Sequence, residues 1–190
     1  MKNKYYYQSA LLFVLCQFTV LLSFAQVNEP VIGYITIQGT KTGTFKGSGT
    51  TKGNEDKIEC IGYRYSVSVP HDVATGLPTG KRMHGPFEII KNVDGSSPQF
   101  LQAAYSNEIL KSVLVEFFKK NAKGQLYISS KIKLTNASIS QISEYGGVAV
   151  RDKLLPNTVP QEQITLTFQK IEFENSDAKT SASDDWNIVK

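Results

Sequence analysis

Ile61-Gly62-Tyr63-Arg64-Tyr65-Ser66-Val67-Ser68-Val69-Pro70 is the stretch that decides the fold class. Ile61, Tyr63, Tyr65, Val67 and Val69 alternate with Gly62, Arg64, Ser66 and Ser68. A period of two sends successive side chains to opposite faces of a strand, one buried and one wet. One long strand ended by Pro70 is therefore expected here, because proline has no amide to continue a ladder.

The flanks continue the β pattern. Residues 31–38 are rich in Val, Ile and Thr and stop at Gly39, after which residues 39–53 are expected to form a flexible loop of Gly, Thr, Ser and Lys. That loop does not match G-x-x-x-x-G-K-[ST] and opens no helix that could cradle phosphate. Residues 71–80 hold glycines and a proline among polar residues, which predicts a protruding loop before a strand around 82–91. Ser96 or Ser97 can cap a short helix with Pro98 in its first turn, Phe100, Leu101, Ala104 and Tyr105 on one face and Asn107 at its end.

Residues 112–119 and 126–133 predict a hairpin about the turn-like segment 120–124. In its second strand the apolar phase passes from Leu126, Ile128, Ile132 and Leu134 to Ala137 and Ile139, so a bulge is expected near Thr135 or Asn136. Residues 146–161, with Pro156 and Pro160, are expected to be an exposed irregular loop. Ile164, Leu166 and Phe168 alternate before the phase moves to Ile171 and Phe173, which predicts a long strand with a second bulge. A polar stretch, 175–184, then leads to a short terminal segment, 186–189. About seven strands and one short helix give a mainly β domain, a sandwich or a barrel with the helix as plug or flank.

The first 25 residues have a different character. Lys2 and Lys4 precede an apolar run, 10–22, which ends in Ser23-Phe24-Ala25. This is the pattern of a bacterial secretory signal peptide cut between Ala25 and Gln26. The run is shorter than the ~20 residues of a membrane span, and Phe13-Val14-Leu15 before Cys16 are not the small residues of a lipidation site. Residues 1–25 are thus expected to be the signal and 26–190 one exported domain, periplasmic or secreted, with no membrane attachment after cleavage. The chain has 21 basic and 17 acidic residues, and the signal takes two of the basic ones, leaving a net charge of +2. Such a balance calls for neither nucleic acid nor an anionic membrane. Cys60 is then the one remaining cysteine, so the fold has no internal disulfide, and its strand position suits a small core hydrophobe.

Chemistry-bearing patterns are absent from the sequence. His71 and His84 have neither the spacing nor the companions of a zinc site, and no G-x-S-x-G marks a nucleophile. Glu108 with Glu116, or Asp184 with Asp185, could be paired as glycosidase carboxylates, but exposed acids of this kind are read as solvated surface. Asn136-Ala137-Ser138 fits a glycosylation sequon by chance. The expectation is a protein that assembles or binds, with no catalytic residue, metal or cofactor.

Several segments, taken in order, resemble the haemolysin-coregulated protein (Hcp) family, whose members build the inner tube of bacterial type VI secretion systems. Residues 58–67, Ile-Glu-Cys-Ile-Gly-Tyr-Arg-Tyr-Ser-Val, are similar to the family's I-E-V-x-x-[WF]-x-[WF] strand. Arg82-Met83-His84-Gly85-Pro86-Phe87 and residues 90–98, containing Lys91, Asp94, Ser97 and Pro98, are similar to its H-x-P-[FL]-x-[IF]-x-K-x-x-D-x-[SA]-[ST]-P block. Residues 132–140, residues 161–173 and Asp184-Asp185-Trp186 resemble its later strands and its end, so the likeness runs from about Val31 to Trp186.

The resemblance implies a small antiparallel β-barrel of two sheets with one short flanking helix. It also implies protomers that close into a ring, usually hexameric, and rings that stack into a tube, with a secreted effector or another secretion-system protein as further partner. By the same resemblance, residues 71–81, with His71, Asp72, Val73, Thr75, Leu77 and Lys81, stand where the family has an extended assembly loop. His84, Pro86, Lys91, Asp94, Ser97, Pro98 and Trp186 are motif positions. A signal peptide departs from the family pattern, and it supports a second reading, a stand-alone exported Hcp-like module that holds a partner without forming a tube.

Overall fold

Strand alternation organises most of the described residues. The computed structural model describes residues 31–146, 149–150, 153–154 and 159–187; the expected signal peptide and the end of the terminal segment lie outside them. The strands are β1 (Gly33–Gly39), β2 (Ile58–Cys60), β3 (Gly62–Arg64), β4 (Val67–Ser68), β5 (Met83–His84), β6 (Phe87–Asn92) and β7 (Leu110–Lys120). They continue with β8 (Leu126–Tyr145), β9 (Ala149–Val150), β10 (Lys153–Leu154), β11 (Gln161–Thr167), β12 (Lys170–Asn175) and β13 (Thr180–Asp185), and the helix α1 is Ser97–Tyr105. Every named pairing is antiparallel.

β8 belongs to two sheets. Its first half pairs with β7 and β12, and its second half with β11. One arm of the ladder is thus β2-β1-β7-β8 and continues through β12 to β13, while the other runs β8-β11-β6-β3. The change of partner falls at Asn136, whose φ of 49° is left-handed, and this kink accounts for the phase change from Leu134 to Ala137. The break between β11 and β12 makes the matching change on the other side, so the predicted long strand is two strands.

The ladder is not a closed ring. Its two ends, β2 and β3, are successive pieces of one segment: Cys60 pairs with Gly33 of β1, and Gly62 pairs with Ile90 of β6. Ile61, between them, donates its amide to the Ile90 carbonyl at 2.9 Å. The single strand expected over 61–69 is therefore two short pieces, β3 and β4. The segment turns a sheet corner at Ile61 and leaves the ladder after Arg64, which is why Val67 and Val69 are exposed despite their alternation.

Inward-facing Ile35, Ile37, Val113, Val115, Leu134, Phe87, Ile89, Ile164 and Leu166 fill the space between the arms. Helix α1 covers this core with Phe100 and Ala103, and Phe100 meets Phe45 edge-on at 5.3 Å. Burying a side chain such as Phe100 stabilises the fold by about 1.5–3 kcal/mol. The helix face differs from the expected one: Tyr105 is exposed, and Ser97, Phe100 and Ala103 are the buried residues. Asn107, with φ of 47°, does close the helix.

Residues 39–53 are pinned rather than free. Phe45 enters the core, and the Glu108 carboxylate accepts from the Lys41 amide at 2.5 Å, the Thr42 amide at 2.8 Å and the Thr42 hydroxyl at 2.6 Å. Gly47 lies so close to residues 57 and 58 that a Cβ would sit 2.5 Å from the Lys57 carbonyl oxygen. The polar stretch after β12 is also regular, since it forms β13 in register with β12 from Lys170↔Asp185 to Asn175↔Thr180. Its Ala182, Asp184 and Asp185 are of types depleted in strands, and pairing along β12 overrides that preference.

Candidate functional site

Residues 69–82 form a projecting hairpin rooted by the β4–β5 pair. An isolated bridge joins His71 to Pro78. The Thr79 amide bonds the Pro70 carbonyl at 3.0 Å, and the Asp72 amide bonds the Leu77 carbonyl at 2.8 Å. At the tip, the Asp72 carboxylate accepts from the Thr75 amide at 2.7 Å, the Thr75 hydroxyl at 2.8 Å and the Ala74 amide at 3.1 Å. These bonds, those of Thr75 first, hold the Asp72 carboxyl below the ordinary aspartate range. Gly76 completes the turn with φ of +68°, a conformation that costs glycine little.

The frame satisfies its own backbone and leaves its apolar side chains outside. Val73 is fully exposed and Leu77 is 64% exposed. A preorganised loop loses little entropy on binding, so the frame holds these apolar groups ready for contact. Of the residues singled out in the loop, His71, Asp72, Val73, Thr75 and Leu77 belong to this frame and tip, and Lys81 stands exposed at its returning leg.

A polar clasp fixes the root. Arg82 donates through Nε and Nη2 to the two oxygens of Asp184 on β13. His84 Nε2 lies 2.6 Å from Asp184 Oδ2, and the Tyr65 hydroxyl lies 2.5 Å from His84 Nδ1. A carboxylate only accepts, so Nε2 carries a proton toward Asp184, while Nδ1 is in hydrogen-bond contact with the Tyr65 hydroxyl. The Trp186 ring packs edge-on against His84 at 4.6 Å. Arg82 foremost, with His84 adding to it against the cost of burial, holds the Asp184 carboxyl far below its ordinary range. Burial, and then the Asp184 charge, pushes the Tyr65 hydroxyl up. Two motif positions, His84 and Trp186, thus meet, while Pro86 stands exposed in the break between β5 and β6.

A second network anchors α1. Lys91 and Glu162 are both 0% exposed, with Lys91 Nζ 2.5 Å from Glu162 Oε1. The ammonium also reaches Asp94 Oδ1 at 2.8 Å, the Asn92 carbonyl at 2.7 Å and Ser97 Oγ at 3.2 Å. Ser97 donates its hydroxyl to Glu162 at 2.6 Å and accepts the Asp94 amide at 2.9 Å. Asp94 in turn accepts from the Ser96 amide and hydroxyl, so Ser96 occupies the N-cap position without capping by its side chain. Burial pushes the Asp94 carboxyl up, but Lys91 and Ser96 outweigh it and the group titrates below its ordinary value. Pro98 fits the first turn because it has no amide to leave unpaired. Lys91, Asp94, Ser97 and Pro98 are thereby brought together.

The acids read as solvated surface are structural instead. Glu108 is 2% exposed and holds the 39–53 loop; burial pushes its carboxyl up, and the Thr42 and Lys41 bonds bring it below its ordinary value. Glu116 is buried against Lys57 at 2.8 Å, and Asp184 is the centre of the clasp. Glu162 and Arg82 were not singled out at all, although both lie inside quoted motif segments. Their signal is a charge next to alternating core positions, which marks a buried counter-ion only once its partner is known. Cys60 is buried, and burial above all pushes its thiol up to about 12, as suits a core hydrophobe.

A family described as "Type VI secretion system effector, Hcp" matches residues 34–174. The "Major exported protein" of Pseudomonas aeruginosa is 31% identical over 162 residues, covering 80% of this chain and 94% of its own. A crystal structure of an Hcp protein superposes with a TM-score of 0.72 at 28% identity, covering 81% of this chain and 98% of that one. The secreted protein Hcp3 from Pseudomonas aeruginosa does so with a TM-score of 0.66 at 26% identity, covering 82% and 99%.

Proposed function

The chain belongs to the Hcp family of type VI secretion proteins, and from that premise we propose that it is an exported structural subunit whose copies close into hexameric rings that stack as a tube. The family is one of structural secretion proteins rather than enzymes, and the expected role is mechanical. The observation that carries the reading is the 69–82 hairpin, with Val73 and Leu77 displayed on a self-satisfied frame, in the segment that by sequence resemblance stands for the family's extended loop.

The motif residues take supporting parts in this reading. His84 and Trp186 set the angle of the hairpin through Asp184, Pro86 separates β5 from β6, and Lys91, Asp94, Ser97 and Pro98 fix α1. Residues 1–25 act as a cleaved secretory signal, residues 26–190 form the assembling domain, and a secreted effector is the second partner. A head-to-tail ring closes without leaving unpaired patches.

The experiment is to purify the chain as its host processes it, determine the N-terminus by mass spectrometry, and measure the assembly state by light scattering with negative-stain images. Rings, stacking at high concentration, and a chain beginning at Gln26 are expected. A strict monomer at high concentration would overturn the assembly reading, and an intact leader on exported protein would overturn the signal.

A further inference from the structure

A groove of about 330 Å³ opens at the mouth between the two arms of the ladder. Two rungs of one sheet face form its floor. Ile132 of β8 pairs with Phe173 of β12, and Phe173 with Ala182 of β13, which makes one rung apolar. On the next rung of that face Phe117 pairs with Ser130, Ser130 with Asn175 and Asn175 with Thr180, so it is aromatic at one end and polar along the rest. Tyr63 roofs the groove, tilted against Phe117 at 5.1 Å and 43% exposed. Among the described residues, the hydroxyls of Tyr63, Ser130 and Thr180 have no hydrogen-bond partner. Asn175 engages only its amide oxygen, which accepts from the Ala178 amide at 2.9 Å. The polar side chains beside the core elsewhere, Asp94 and Glu108, are by contrast satisfied within the chain.

We infer that this groove is a binding site for a neutral saccharide of gluco configuration. Its lining disfavours the other classes of ligand. A wholly apolar group would strip water from three hydroxyls and an amide and return no hydrogen bond. A charged polymer would meet no excess of either sign, because Lys131 and Glu174, partners across β8 and β12, both border the groove. A gluco-type ring carries both chemistries at once, with C–H groups on its faces and equatorial hydroxyls around its edge. Weakly positive C–H groups are drawn to the negative faces of aromatic rings, here Phe117 and Phe173, while the hydroxyls exchange bonds with Ser130, Asn175, Thr180 and Tyr63. A few polar groups set on an apolar floor is the usual make-up of small-ligand sites, which start at about 300 Å³. A groove of this size therefore takes a short stretch of sugar, and an open one suits the flat run of β-1,4-linked rings. The inference goes beyond the assembly reading and does not depend on it.

Saturation-transfer NMR on the full chain tests it, with cellotriose and chitotriose as probes, and reads binding in monomer and assembly alike. Transfer from the protein to the ring C–H protons of at least one probe is expected. Ala182→Arg fills the groove and Tyr63→Ser removes its roof, and both residues are exposed, so each variant should keep the fold, as checked by its melting curve. Each should weaken the transfer at least tenfold. No transfer from either probe at millimolar concentration, or full transfer to either folded variant, would overturn the site and leave the assembly reading untouched.

Discussion

His84 on β5 and Asp184 on β13 are joined at 2.6 Å across 100 residues of chain, and Arg82 closes on the same carboxylate. The loop root and the last strand therefore form one unit, and loosening either end should loosen both. Asp184→Asn removes the charge that both bases engage, a loss of about 1–2 kcal/mol for charge-assisted bonds at a half-buried site. Trypsin cleavage after Lys81 or Arg82 should then speed up about tenfold, because local opening governs such cleavage. Cleavage at the wild-type rate would show that the clasp does not restrain the loop.

The same carboxylate makes stability depend on acid. Asp184, Asp94 and Glu108 all titrate below their ordinary values in the folded chain. A depressed folded pKa means that the unfolded chain takes up protons first as pH falls. The stabilisation is therefore complete above about pH 5 and drains away as pH drops through about 4 and below. Calorimetric melting temperatures should fall steeply between about pH 4 and pH 2, and less steeply for Asp184→Asn. An equal slope in the variant would remove Asp184 from the account.

Lys91 and Glu162 are expected to behave as a pair rather than as two contributions. Lys91→Met strands a buried carboxylate and should cost about 3–5 kcal/mol, whereas replacing both Lys91 and Glu162 with Met should recover much of that loss. Glu162 Oε2 already lacks a hydrogen-bond partner, so removing this group also removes an unsatisfied atom. Denaturant titration of the two single variants and the double variant gives the coupling. Additive losses would contradict a coupled pair.

Cys60 should resist alkylation in the folded protein. Its thiol sits inside the core and is pushed up to about 12, which leaves almost no thiolate near pH 8. Modification by iodoacetamide should follow global unfolding in denaturant. Rapid labelling of native protein, located at Cys60 by peptide mapping, would disprove the core assignment.

Much of the frame was legible because β alternation is a local signal. The phase changes at Leu134 to Ala137 and at Phe168 to Ile171 revealed where strands change partners, and Ser96, Pro98 and Asn107 bounded the helix. The 61–69 segment misled for the opposite reason. Alternation reports which way side chains point, and it is silent on whether a partner strand continues beside them. β13 was invisible because Thr180 to Asp185 contain no apolar period, and only a hydrogen-bonding neighbour makes them a strand.

By itself, the sequence determined an antiparallel β domain with one short helix, a projecting loop at 71–80 and Cys60 as a core position. Those features depend on residues near one another in the chain, through periodicity, turn chemistry and the missing amide of proline. Tertiary structure alone decided that Asp184 grips Arg82 and His84, that Glu162 neutralises Lys91, that Glu108 pins a glycine-rich loop, and that Tyr63 roofs an open aromatic groove. Each joins residues tens of positions apart, and a charge in a sequence becomes a buried counter-ion only when folding removes the water that would otherwise solvate it.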